Sequence, residues 1–126
     1  MMPSRPERPS PAAECAVAPS AYDPAIVSDL EACFGRTWLL DLLGLLRDEI
    51  AARLRAPPSE RETLAQDAHI LVSASGTLGF LGLSQACAEL GRACREGIDP
   101  TPALDLAGQA ARCAREAIDR MLAEPA

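Results

Sequence analysis

The stretch Leu64-Ala65-Gln66-Asp67-Ala68-His69-Ile70-Leu71-Val72-Ser73-Ala74-Ser75-Gly76-Thr77-Leu78-Gly79 decides how this chain is read. Leu64, Ala68, Leu71, Ser75 and Leu78 recur at steps of three and four. At about 100° per residue they fall within one narrow arc of a helix, which is its core side. With Leu64 at zero, that arc centres near ~10° and His69 falls near ~140°. The ring of the only histidine therefore points away from the apolar stripe. Gln66, Val72, Ser73 and Gly76 share its outer face, and so does Phe80 if the helix runs that far. Small residues one and two turns beyond the ring leave it open to a second molecule.

Helices are expected on both sides of this segment. Ser59 and Glu62 form a capping box that opens it. Upstream, Asp23-Pro24 is a helix start with Asp as N-cap, and Ile26, Val27, Leu30 and Phe34 form a stripe that ends at Gly35. A longer helix follows over about residues 37–55, with Leu39, Leu42, Leu43, Leu46, Ile50 and Leu54 on one face, ended by Pro57-Pro58. Downstream, a joint is expected at residues 79–82. A helix over about 83–96 then carries Leu83, Ala86, Cys87, Leu90 and Cys94, and Gly97 stops it. Thr101-Pro102 starts the last helix, with Leu104, Ala107, Ala111, Ala114, Ile118 and Met121 or Leu122 as its stripe. No strand-like alternation of useful length appears. The fold class is all-α: an antiparallel (up-down) four-helix bundle with a short additional N-terminal helix. Residues 1–21, with Pro3, Pro6, Pro9, Pro11 and Pro19, read as a disordered Pro-rich leader, and residues 22–124 as the helical domain.

Composition agrees with one modest helical domain. The chain has 126 residues, 48% of them hydrophobic but only 3% aromatic, so the core must be built from Leu, Ala, Ile and Val. The net charge of -6 argues against nucleic acid as a partner. Every basic side chain is Arg; the chain has no Lys. Residues 70–88 are apolar enough to raise the question of a membrane span. Ser73, Ser75, Gly76, Thr77, Gly79, Gly82, Ser84 and Gln85 make them a poor one, so no membrane is expected. The five cysteines, Cys15, Cys33, Cys87, Cys94 and Cys113, show no CxxC spacing. They read as reduced thiols in a cytoplasmic protein, with no metal site.

Among the chemistries this pattern allows, hydrolysis fails first. Ser73-Ala74-Ser75-Gly76 is not a GxSxG elbow, and Asp67 diverges from His69 on the helix. Gly76, Gly79 and Gly82 are spaced by three with no basic residue close behind, so they make no phosphate-binding loop. The imidazole is a candidate of another kind: one of its nitrogens can accept a phosphoryl group and pass it on.

At these residues the chain resembles the histidine-containing phosphotransfer (HPt) family, whose motif reads roughly H-x-L-K-G-S-x-x-x-L-G. His69, Leu71, Ala74, Leu78 and Gly79 stand in register with it, and Leu83, Cys87 and Leu90 continue the match in the next helix. The resemblance extends over about residues 22–122 and is specific over 64–91. It departs where the family's Lys is Val72 and the following Gly is Ser73.

The resemblance implies that residues 22–124 are an HPt-like bundle and that His69 is the phosphoacceptor. Gln66, Val72, Ser73, Gly76 and Phe80 would lie at the docking surface or near the phosphoryl group. It implies a bacterial two-component phosphorelay between aspartates of receiver domains. The partners would be response-regulator receiver domains and a hybrid histidine kinase. The chain would need no cofactor of its own, Mg²⁺ belonging to the partner receiver, and would be a cytoplasmic monomer. The alternative is a degenerate HPt-like adapter that binds a receiver or kinase without being phosphorylated; the missing Lys favours it.

Overall fold

The structure is a computed structural model that describes residues 21–124. Residues 1–20 of the expected leader lie outside the described residues. Five helices and no strand occur among the described residues: α1 (Pro24–Phe34), α2 (Arg36–Leu54), α3 (Arg61–Thr77), α4 (Leu81–Arg95) and α5 (Thr101–Ala123). The fold is all-helical, as the periodicity implies.

Local chemistry accounts for most of the helix ends. Asp23 is the N-cap of α1: its Oδ1 accepts from the Ala25 N–H at 2.9 Å, and Pro24 takes the first position, where no N–H is needed. Gly35 ends α1 at φ +91° and is also the residue from which α2 starts. The turn after α4 is a Schellman arrangement around Gly97 at φ +72°, with the Ile98 N–H donating to the Ala93 carbonyl at 3.0 Å.

Two boundaries differ from expectation. The capping box at Ser59 does not form; α3 starts one residue later, with Glu60 as N-cap and no side-chain cap bond. Arg61 braces this end instead. Its guanidinium donates to the carbonyls of Ile98 (2.7 Å) and Ala93 (3.3 Å) at the far end of α4. The joint between α3 and α4 is also tighter than residues 79–82. It occupies 78–80, and Gly82 is already helical. Gly79 at φ +87° makes this possible, since Phe80 N–H then donates to Ser75 O at 2.8 Å and Gly79 N–H to Gly76 O at 3.1 Å.

Packing follows the apolar stripes. α2 packs on α3 and α5, α3 on α4, and α4 on α5, so these four helices close a ring, while α1 packs on α2. The core inside holds Leu39, Leu43, Leu46 and Ile50 of α2, Leu64, Ala68 and Leu71 of α3, Leu83, Cys87 and Leu90 of α4, and Ala107, Ala111, Ala114 and Ile118 of α5. Each fully buried Leu or Ile contributes roughly 1.5–3 kcal/mol. Leu42 and Leu54, expected on the core stripe, are only half-buried. Ser75 is the one buried polar residue among the described residues, and its hydroxyl donates to the Leu71 carbonyl one turn back. Cys33, Cys87 and Cys94 are free thiols, but Cys113 is disulfide-bonded, against the expectation of reduced thiols throughout.

Candidate functional site

The site is built on α3. Leu64, Ala68, Leu71 and Ser75 anchor its inner face. Its two flanks are held by different neighbours. On one flank, Asp67 accepts from Arg53 of α2 at 2.5 Å, and Arg53 also donates to Glu49 at 2.6 Å. These two carboxylates, the Glu49 hydrogen bond first, hold the Arg53 guanidinium above its usual pKa. On the other flank, the Ser84 hydroxyl of α4 donates to the Val72 carbonyl at 2.9 Å. A Cβ placed on Gly76 would stand 3.1 Å from the Ser84 oxygen, so the two helices meet closely there.

His69 stands between these two clamps and is exposed. Its position follows from the helical step: about 130° separates it from the core arc. Gln66 and Ser73 are exposed beside it, while Val72 and Gly76 are half-buried where the outer face turns into the α3–α4 seam. The Ser73 hydroxyl donates no hydrogen bond among the described residues; the Ser73 carbonyl accepts from the Thr77 hydroxyl at 2.8 Å. The structure thus brings Gln66, His69, Val72, Ser73 and Gly76 onto one continuous strip. A ring so placed, on a helix clamped from both sides, can meet an electrophile carried by a second protein without moving the backbone.

Phe80 does not belong to that strip. The expectation required α3 to continue past Thr77, but the left-handed Gly79 turns the chain inward and Phe80 is fully buried. Its ring packs against Tyr22 with centroids 5.5 Å apart. Periodicity alone could not show this, because it assumes one unbroken helix. Asp67, adjacent in sequence to His69, is committed to Arg53 and faces α2, so the pair forms no catalytic dyad.

The Hpt domain model matches residues 36–124. The chain belongs to the Hpt domain family. The matched part of the Hpt domain comprises α2 to α5, and the match begins after α1. No curated protein and no solved structure matches the chain. Hpt domains serve phosphotransfer in two-component signalling, where they meet receiver domains and kinases. Among the described residues no helix is long and apolar enough to cross a membrane, and no group of three or more His, Cys, Asp or Glu residues could hold a metal ion.

Proposed function

We propose that this Hpt domain relays a phosphoryl group between aspartates of receiver domains in a bacterial phosphorelay, with His69 as the phosphoacceptor. The observation that carries the reading is the exposed imidazole on a helix clamped by Arg53–Asp67 on one flank and Ser84–Val72 on the other. Gln66, Val72, Ser73 and Gly76 form the surface on which the receiver docks, and Phe80 supports that surface from beneath. The four helices α2 to α5 run up and down in antiparallel order. Two cross-links favour this: Arg61 at the start of α3 reaches the end of α4, and Arg36 at the start of α2 pairs with Glu124 just beyond α5 at 3.4 Å.

The chemistry asks little of the chain. The lone pair of one ring nitrogen forms the N–P bond while the P–O bond to the aspartyl carboxylate breaks. The carboxylate leaves with the bonding pair, and the other ring nitrogen keeps its proton. The second transfer is the reverse. Mg²⁺ is expected in the receiver, and a hybrid histidine kinase is the expected source of the phosphoryl group. On this reading the protein works as a monomer in the cytoplasm.

Val72 favours a second reading. An apolar, half-buried side chain stands where the HPt motif has Lys. An adapter that docks on a receiver or kinase without taking the phosphoryl group would tolerate that exchange. One experiment separates the two. The chain is mixed with a phosphorylated receiver domain and assayed for acid-labile, base-stable label, in parallel with His69→Gln. The relay requires label that the substitution abolishes. Binding without label supports the adapter, and label that survives the substitution removes His69 from the mechanism.

A further inference from the structure

A phosphoryl group on His69 carries two negative charges on an outer face that has no Lys to meet them. Three arginines lie on α3 and α4, and two are already engaged. Arg61 is spent on the carbonyls of Ala93 and Ile98. Arg92 lies between Glu89 at 2.7 Å and Glu96 at 3.3 Å. The third, Arg95, makes no ion pair among the described residues.

Its guanidinium lies back along α4, beside Gly91. Gly91 is buried in α4, and a Cβ built on it would stand 3.7 Å from the Cβ of Ala68 and only 3.0 Å from an Nη of Arg95. The Arg95 side chain thus folds back one turn and fills the space that the missing side chain leaves. Gly91 faces Ala68, the residue before His69, and neighbouring residues of a helix differ by only about 1.5 Å in height. On α4, Arg95 lies about 20° from Ser84, the residue that touches Val72 and Gly76. The guanidinium beside Gly91 therefore lies on the side of α4 that faces α3, opposite the turn of α3 that carries Ala68 and His69.

We propose that Arg95 is the phosphoryl-binding cation of this site, admitted to the seam by Gly91 and replacing the positive charge absent at Val72. This rests on His69 being the phosphoacceptor. A planar fork suits the paired oxygens of a phosphoryl group, and the contact strengthens as the P–O or P–N bond of the donor breaks.

Phosphoramidate tests this without a receiver. The imidazole lone pair forms N–P as the donor's P–N bond breaks and ammonia leaves. The full chain is treated with phosphoramidate, and phosphorylation at His69 is followed by intact mass and fragment mapping. Arg95→Gln is expected to label about tenfold more slowly, the size of one charge-assisted contact. Gly91→Ala, which pushes the guanidinium off the seam, is expected to fall in the same direction. Arg95→Lys should recover most of the rate, Arg92→Gln should stay within about twofold of wild type, and none of these exposed-Arg variants should melt earlier. A wild-type labelling rate at His69 in either Arg95→Gln or Gly91→Ala overturns the proposal. If instead the Arg95 dependence appears but no receiver exchanges phosphate with His69, the relay fails and the cation site stands.

Discussion

The backbone N–H of Asp23 donates to the carbonyl of Gly79 at 2.8 Å, which fastens the start of α1 onto the joint between α3 and α4. The approach is close because Gly79 has no side chain. A Cβ there would stand 3.1 Å from the Ile26 Cβ and 3.3 Å from the Asp23 carbonyl oxygen. Neither neighbour is the loose end of a flexible chain, and φ at Gly79 is +87°. Gly79→Ala therefore combines left-handed strain with a clash. It should lower stability by about 1–3 kcal/mol in urea denaturation. A midpoint equal to wild type would mean that α1 is not fastened there.

Phe80 gives a sharper contrast between a docking and a packing role. Its ring is fully buried and tilted by 40° against Tyr22. Phe80→Ala should cost about 3–5 kcal/mol, the range for a buried aromatic truncated to a methyl group. A docking residue would behave otherwise: receiver affinity would fall while the melting temperature held.

The different fates of His69 and Phe80 show what the linear pattern could and could not carry. Orientation about a single helix depends on spacing alone, so His69 outward and Leu71 inward were legible from the residues between 64 and 78. So were Asp23 as a cap and Gly35 and Gly97 as stops, because each acts on its own neighbours. Periodicity misplaces Phe80 because its direction depends on one backbone angle, that of Gly79. Arg95 and Ser84 do not stand out in the sequence because their meaning comes from the register between α3 and α4, which no one-helix periodicity encodes. A hint was present in Gly91, a helix-interior glycine one turn before an arginine. The Ser59 capping box failed for a similar reason: Arg61 finds its partners at the end of another helix.

Cys87 predicts a pH effect with a definite sign. Burial pushes its thiol up from the ordinary value of 9.0 to about 11. Between these values the unfolded thiol ionises while the folded one stays protonated, so the folded state binds more protons. The stability this provides is complete below about pH 9 and is lost as pH rises towards about 11. Cys87→Ala should lose stability less steeply than wild type across that window, as measured by urea denaturation at stepped pH. Parallel slopes for the two proteins would show that the thiol is not desolvated.

The close meeting of Gly76 and Ser84 predicts a coupling between two helices at the edge of the docking strip. Alanine is a better helix former than glycine by roughly 0.8–1 kcal/mol, so helix propensity by itself would have Gly76→Ala stabilise α3. In this chain the new methyl would stand 3.1 Å from the Ser84 oxygen. That oxygen cannot turn away freely, because it is held by its bond to the Val72 carbonyl. Gly76→Ala should therefore gain little or lose stability in the wild type, and Ser84→Ala alone should lose about 1 kcal/mol with its hydrogen bond. In the double variant the obstruction is gone and the helix-forming gain is realised. The two changes should couple by at least about 0.5 kcal/mol in a double-mutant cycle, with the pair more stable than the sum of the singles. Simple additivity would place the helices farther apart than this seam does, and would loosen the clamp that steadies His69.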